Sequence, residues 1–214
     1  MFKRKVITRS GARTRGYFPS VKSNRQIPWE SPLERDALLV AEFNPRVLRM
    51  QEHQRRIAID STGDPFVAFP DFIFDFEDEA PLTVEVKSDL DFRDPETQAR
   101  LAQVANHLSR LGERYWVWTE SDIRRSPRLE LLEELLTFRR PGADVYLRER
   151  PGVAEVLRWS GSFSLIAASK RVQSRSLILQ LIANDLLLAD LDRPFVDSTI
   201  LIVNEGLPHA HVSH

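Results

Sequence analysis

The fold is decided by residues 66–87, which read FVAFPDFIFDFEDEAPLTVEVK. Apolar and polar side chains alternate along this stretch, and a period of two is typical of strands that bury one face. The pattern predicts one strand over 66–76, an acidic turn, and a second strand over 82–87. The expected apolar faces consist of Phe72, Phe74 and Phe76 in the first strand and Leu82, Val84 and Val86 in the second.

Helices and further strands are predicted on both sides of this hairpin. Ser31-Pro32-Leu33-Glu34 is a capping box with proline at the first helical position, so a helix is expected over about 32–43. The other expected elements are a strand at 55–60, a helix from Asp94-Pro95 to Gly112, a strand at 114–119 and a helix from Ser126 to about Phe138. This order predicts an α/β sandwich with one central mixed sheet. The tryptophans are expected in the core: Trp29, Trp116, Trp118 and Trp159.

A second domain is predicted after Arg139-Arg140-Pro141-Gly142, where turn-forming residues interrupt the helical pattern. The expected elements beyond it are helices at 151–159, from Ser162 and over 174–183, and strands at 186–191 and 198–203. Three short helices and a hairpin suggest a small winged helix-turn-helix domain. The predicted organisation is therefore an arm at 1–27, an α/β domain at 28–140 and a winged-helix domain at 141–214.

The first 29 residues are strongly basic. They hold eight cations and no acid, and the whole chain has a net charge of −1, so the remaining residues carry −9. A basic arm on an acidic body indicates contact with a polyanion such as DNA, although a solvated leader would have the same composition. The candidate DNA-binding cations are Lys3, Arg4, Lys5, Arg9, Arg13, Arg15, Lys22 and Arg25.

The composition is that of a globular protein, with 42% hydrophobic and 29% charged residues. No apolar run approaches the ~20 residues that cross a bilayer. Cysteine is absent, which excludes a disulfide framework, a thiolate metal site and a cysteine nucleophile. A reducing, bacterial cytoplasm is the expected location.

The candidate chemistry lies in the predicted hairpin. Glu85 and Lys87 share one face of the second strand, and Asp71 lies in the first strand, so the three can meet. Two close carboxylates repel each other unless a cation lies between them, and hard oxygen ligands favour Mg²⁺ or Mn²⁺. The alternative interpretation is an exposed ion pair beside a turn, which would contribute little to stability.

Several motifs together resemble one protein family. They are GYFPSVK at 16–22, WESPLERD at 29–36, Gln54, Pro70-Asp71-Phe72, Val84-Glu85-Val86-Lys87 and YWVWTE at 115–120. Proline-aspartate followed by Glu-x-Lys is similar to the restriction-endonuclease-like nucleases. In this order the motifs resemble TnsA-type endonuclease subunits of heteromeric transposases.

The resemblance implies a restriction-endonuclease-like core and Mg²⁺-dependent cleavage of DNA strands at transposon ends, with Mn²⁺ able to substitute. It implies joint action with a DDE-type transposase subunit and an AAA+ ATPase regulator. Carried over to this chain, Asp71 and Glu85 would be metal ligands, Lys87 the catalytic lysine and Glu34 an additional metal-binding acid. The capping box by itself accounts for Glu34 at its position, and Glu30 is the second candidate for the acid.

Two further questions stay open at the level of the sequence. Lys170, Arg171 and Arg175 lie around the predicted helix-turn-helix, but the third helix is too apolar for a groove-binding role along its length. The C-terminal domain could therefore dock DNA or a protein, either the ATPase regulator or the transposase subunit. The alternatives to a transposition nuclease are another nuclease of the same fold, in restriction, repair or phage DNA processing, and a non-catalytic DNA-docking module.

Overall fold

The chain forms two compact units that divide between Arg125 and Ser126. The computed structural model describes residues 14–60 and 65–205. The division lies earlier than the boundary at 139–142 that the sequence predicts. Within the described ranges, no helix has the length and apolar character that a bilayer crossing needs.

The first unit alternates strands and helices. Its elements are β1 (Gly16–Ser20), β2 (Arg25–Trp29), α1 (Pro32–Glu42), β3 (Val47–Glu52), β4 (Ile57–Ile59), β5 (Phe66–Ala68), β6 (Phe72–Phe76), β7 (Leu82–Lys87), α2 (Asp89–Arg93), α3 (Pro95–Arg110), β8 (Arg114–Thr119) and α4 (Glu120–Ile123). The predicted helix at 32–43 and the strands at 82–87 and 114–119 are thereby confirmed, and the short helix α2 is an additional element that the sequence does not predict.

A four-stranded mixed sheet lies at the centre of this unit, in the order β3-β6-β7-β8. The β3–β6 and β6–β7 pairs are antiparallel, and the β7–β8 pair is parallel. The chain reaches the parallel strand through α2 and α3, because parallel neighbours need a crossover connection. The predicted α/β class with a central mixed sheet is confirmed.

The two faces of the sheet are covered differently. Phe72, Phe74 and Val84 are almost fully buried on one face, as the alternation predicts, and each contributes about 1.5–3 kcal/mol through burial. On the other face Tyr115 packs against a cluster formed by α3 and β4. The members of that cluster are Ile57, Ile59, Val104 and Leu108.

The predicted single strand over 66–76 is wrong. Its first part, β5, pairs with β4 in a separate two-stranded sheet, and only β6 joins the central sheet. The break falls at Phe69-Pro70-Asp71, because proline has no N–H to donate to a continued ladder. This break places Asp71 immediately before β6.

The predicted extended arm over 1–27 is also wrong for its described residues from 16 onward. The strands β1 and β2 form an antiparallel hairpin. Its turn is closed by a hydrogen bond from the Asn24 amide to the Val21 carbonyl oxygen, 3.2 Å long. Asn24 adopts a φ of 47°, a left-handed conformation that asparagine tolerates better than most residues.

The second unit contains helices and one small sheet. Its elements are α5 (Arg128–Leu136), α6 (Ala143–Arg148), α7 (Val153–Val156), β9 (Ser162–Ser164), α8 (Leu165–Val172), α9 (Arg175–Ala183), β10 (Leu187–Ala189) and β11 (Ile200–Val203). The sheet has the order β10-β11-β9 with antiparallel pairs throughout. The sequence predicts a helix at Ser162, but that segment forms β9 and the helix begins at Leu165.

Polar contacts explain why α5 belongs to the second unit rather than the first. The buried Arg139 guanidinium donates to the Ala183 carbonyl oxygen at 2.6 Å and to the Asp185 carboxylate at 2.9 Å. The Asn184 side chain in turn donates to the Phe138 carbonyl oxygen at 3.1 Å. These contacts bind the segment after α5 to the end of α9. The second unit therefore includes α5 and begins before the boundary at 139–142 that the sequence predicts.

Glu42→Ala is expected to lower the free energy of unfolding by about 3 kcal/mol, because it leaves buried donors without an acceptor. The fully buried Glu42 carboxylate accepts hydrogen bonds from the Ser20 hydroxyl at 2.8 Å and from the Val21 and Lys22 amides at 3.2 and 3.3 Å. Urea denaturation would measure the change, with the exposed Glu77→Ala as the control. Equal stability of the two variants would show that the hairpin does not depend on Glu42.

Candidate metal and phosphate site

Asp71 and Glu85 lie close together at one end of the β6–β7 hairpin. The regular pairing of the two strands ends with Phe72 opposite Val84. Just before β6, the Asp71 amide donates to the Val84 carbonyl oxygen at 3.0 Å, and the Asp71 carboxylate accepts from the Val86 amide at 2.7 Å. Because Val84 and Val86 flank Glu85 in β7, these two bonds hold Asp71 beside Glu85, and the charge of Glu85 raises the pKa of Asp71. The two carboxylates therefore meet beside the face of β7 that carries Glu85.

Lys87 binds Glu85 on this face. The two residues are separated by one position in β7, and the Lys87 ammonium donates to the Glu85 carboxylate. Burial lowers the pKa of Lys87, but the negative charges of Glu85 and Asp71 outweigh it, so the net pKa lies above the ordinary value. Lys87 is therefore a protonated cation at neutral pH and cannot act as a base.

Glu34 both caps α1 and reaches the site. The Ser31 hydroxyl accepts a hydrogen bond from the Glu34 amide at 3.2 Å, which confirms the predicted N-cap. The Glu34 carboxylate accepts from the Ser31 hydroxyl at 3.0 Å and from the Glu30 amide at 2.7 Å. Its charge also raises the pKa of Asp71. The Glu34 side chain therefore both caps α1 and contributes negative charge to the site.

The electrostatics of the site are dominated by excess negative charge. Burial raises the pKa of Asp71 well above its ordinary value, and the charges of Glu85 and Glu34 raise it further. The hydrogen bond from the Val86 amide, at 2.7 Å, and the Lys87 ammonium only partly offset these effects. Three carboxylates are thus held near one ammonium, an arrangement that an additional cation would stabilise.

The donor set fits a hard divalent cation. Asp71, Glu85 and Glu34 offer only carboxylate oxygens, which suit Mg²⁺ or Mn²⁺. Each carboxylate has about four lone-pair positions and retains capacity beyond the hydrogen bonds described above. Over residues 14–60 and 65–205, no three acidic or histidine side chains are already gathered as a metal site. Binding would therefore require the carboxylates to turn, and Lys87 to release Glu85.

His53 is a neighbour of the site that the sequence does not reveal. Glu52 lies opposite Phe72 in the β3–β6 pair, so His53 is opposite Asp71, and its amide donates to the Asp71 carbonyl oxygen at 2.8 Å. The side chain is buried, with an exposed fraction of 3%. The strand β3 was not predicted, because an irregularity in its register between Val47 and Arg49 disrupts the alternation.

The described part of the basic arm is engaged within the fold. The Lys22 ammonium donates to the carbonyl oxygens of Asn44 and Val47, the latter at 2.6 Å. Arg25 forms an ion pair with Glu52 at 2.5 Å. These two predicted DNA-binding cations therefore hold the β1–β2 hairpin to the rest of the unit. Lys3, Arg4, Lys5, Arg9 and Arg13 lie outside the described residues.

Comparison with known proteins adds no further assignment. No protein-family model matches the chain, and no curated protein sequence matches it. The geometry of the site and the sequence motifs are therefore the basis for assigning a function to this chain.

Asp71→Asn is expected to stabilise the metal-free protein at neutral pH. The native state holds the Asp71 proton to a higher pH than the unfolded chain does, so stability falls as pH rises through the raised pKa. Asparagine removes this loss. Urea denaturation at pH 8 should show a gain of about 1 kcal/mol, which is typical when a destabilising site residue is neutralised.

The pH dependence provides the control for this prediction. The gain should disappear below the ordinary aspartate pKa of about 4, where Asp71 is protonated in both states. Asp78→Asn, in the exposed turn after β6, should change little at either pH. A loss of stability at pH 8 in Asp71→Asn would contradict the electrostatic description of the site.

Proposed function

We propose that this chain is a Mg²⁺-dependent DNA endonuclease of the TnsA type, which cleaves strands at transposon ends. The observation that supports this most directly is the proximity of Asp71, Glu85 and Lys87 at one end of the β6–β7 hairpin, where the charge of Glu34 from α1 also acts on Asp71. Carboxylates can hold a divalent ion that activates a water and neutralises charge on a phosphodiester, and a lysine beside them can stabilise the charge that develops.

In this proposal each side chain has a separate role. Asp71 and Glu85 hold the cation, and Glu34 completes its set of oxygen ligands. The bound ion would supply charge neutralisation at the scissile phosphate and a more acidic water. Lys87, which stays protonated, moves from Glu85 to the phosphate and stabilises the negative charge that develops there.

The reaction is a hydrolysis. A water oxygen forms a bond to phosphorus, and the bond from phosphorus to the 3′ oxygen breaks. The attacking water releases one proton to solvent and the departing 3′ oxygen takes one up, so the products are a 5′-phosphate and a 3′-hydroxyl. Neither a covalent enzyme intermediate nor a cysteine is needed.

The topology supports the finer fold assignments that belong to this proposal. An antiparallel β6–β7 hairpin followed by a helical crossover to a parallel strand is the arrangement expected of a restriction-endonuclease-like core. In the second unit, α8 and α9 are followed by the β10–β11 hairpin, and β9 pairs with β11. This is the arrangement expected of a winged helix-turn-helix.

The charges of the second unit favour a protein partner over DNA. Arg171 forms an ion pair with Glu155, and Arg175 with Asp197 at 3.1 Å, so acids of the same unit balance the two cations. The α9 helix is largely buried. We propose that this unit docks the AAA+ ATPase regulator or the DDE-type transposase subunit.

A non-catalytic DNA-docking module is the second candidate. The existing Lys87–Glu85 ion pair favours it, because the pair is satisfied without a metal. The raised pKa of Asp71 argues against it, since a purely structural carboxylate would not be expected in an environment that penalises its charge.

Lys87→Ala is expected to reduce cleavage of supercoiled plasmid about 10²–10³-fold, the usual effect of removing one group that stabilises transition-state charge. The assay would contain Mn²⁺ and the partner transposase subunit. Arg110→Ala, which removes another cation of the same unit at the exposed end of α3, is the matched control and should cleave like the parent. Parental cleavage by Lys87→Ala would rule out this catalytic assignment.

A further inference from the structure

Tyr115 lies beside the site on the neighbouring strand. It is opposite Thr83 in the parallel β7–β8 pair, and Thr83 is separated from Glu85 by one position, so Tyr115 and Glu85 point to the same side of the sheet. The Tyr115 ring packs against the apolar cluster that contains Val104 and Leu108. The ring is thus held in place by contacts with α3.

The Tyr115 hydroxyl is a buried polar group without a hydrogen bond. Its oxygen has no partner among the residues that the structure describes. Most buried polar side-chain atoms in proteins do have one, because leaving such a group unsatisfied costs about as much as a lost hydrogen bond. A phenylalanine would fill the same apolar space without this cost. Packing of the ring alone therefore does not explain why this position carries a hydroxyl group.

The surroundings of the hydroxyl are acidic. Tyr115, Glu85 and Lys87 line one cleft of 230 Å³, together with Thr97 and Arg100. Burial raises the pKa of Tyr115, and the charges of Glu85 and Asp71 raise it further. The Tyr115 hydroxyl thus shares a cleft with a carboxylate that now accepts from Lys87.

We propose that Tyr115 is a positioning residue for Glu85. When Lys87 turns toward a substrate phosphate, the Tyr115 hydroxyl donates to the Glu85 carboxylate and holds it in the orientation that binds the cation. This inference rests on the proposed function, since it assigns Glu85 to the cation. Hydrogen bonds from outer groups commonly orient carboxylates that bind metals, and their loss weakens metal binding about 10–100-fold.

Tyr115→Phe tests this assignment, because it removes the hydroxyl and keeps the ring. The free Mn²⁺ signal in electron paramagnetic resonance would measure cation affinity of the full-length protein without DNA. We expect Tyr115→Phe to weaken Mn²⁺ binding about tenfold. The melting temperature of the metal-free variant should equal or exceed that of the parent, since an unsatisfied buried group has been removed. Tyr146→Phe, at an exposed position of the second unit, is the matched control.

The effect of Tyr115→Phe in the Glu85→Gln variant distinguishes a positioning role from a packing role. Glu85→Gln already lacks the carboxylate that Tyr115 would orient, so adding Tyr115→Phe should not change its Mn²⁺ affinity further. An equal, additive loss in both backgrounds would show that Tyr115 acts independently of Glu85 and would overturn the assignment. Weaker Mn²⁺ binding accompanied by a lower melting temperature would also overturn it, because packing alone would then explain the effect.

Failure of this inference can be distinguished from failure of the proposed function. If the parent binds Mn²⁺, Asp71→Asn does not, and Tyr115→Phe binds like the parent, only the role of Tyr115 is wrong. If the parent and Asp71→Asn are equally unable to bind Mn²⁺, the metal site is wrong and the role of Tyr115 is wrong with it.

Discussion

Two like charges held close together at the end of the β6–β7 hairpin are the constraint on which the rest of this structure depends. The Asp71 amide and carboxylate are bound to Val84 and Val86, the residues on either side of Glu85 in β7. Two carboxylates this close repel each other unless a cation lies between them. Lys87 offsets part of this repulsion in the metal-free protein, and Glu34 adds to it.

The proposed function follows from how this repulsion is relieved. A lysine that binds Glu85 when no cation is present becomes available once a cation takes its place. In the same exchange Glu85 would lose its hydrogen bond from Lys87, and Tyr115 lines the same cleft. Stability lost to a charged cluster in the free protein is commonly associated with a functional site, because binding recovers it.

Local alternation was sufficient to predict the centre of the site but not its surroundings. The pattern of β6 and β7 put Glu85 and Lys87 on one face, and the capping box located the start of α1. The β3 strand was missed because its irregular register hides the alternation, and His53 was missed with it. Trp116 was expected in the core, yet 58% of it is exposed, because β8 is an edge strand of the central sheet.

Long-range contacts account for the other differences from the sequence prediction. The residues from 16 to 29 carry no distinctive strand pattern, and their hairpin depends on Glu42, which follows them in the chain. The end of the first unit likewise depends on Arg139 and its contacts beyond Ala183. Such pairings involve residues far apart in sequence and cannot be inferred from a local window.

Anomalous diffraction from crystals soaked in Mn²⁺ tests the central claim most directly. The account predicts a manganese peak between the carboxylates of Asp71 and Glu85, with Glu34 oriented toward it and Lys87 displaced from Glu85. A difference map without a peak between these carboxylates, with Lys87 still bound to Glu85 at saturating Mn²⁺, would contradict it.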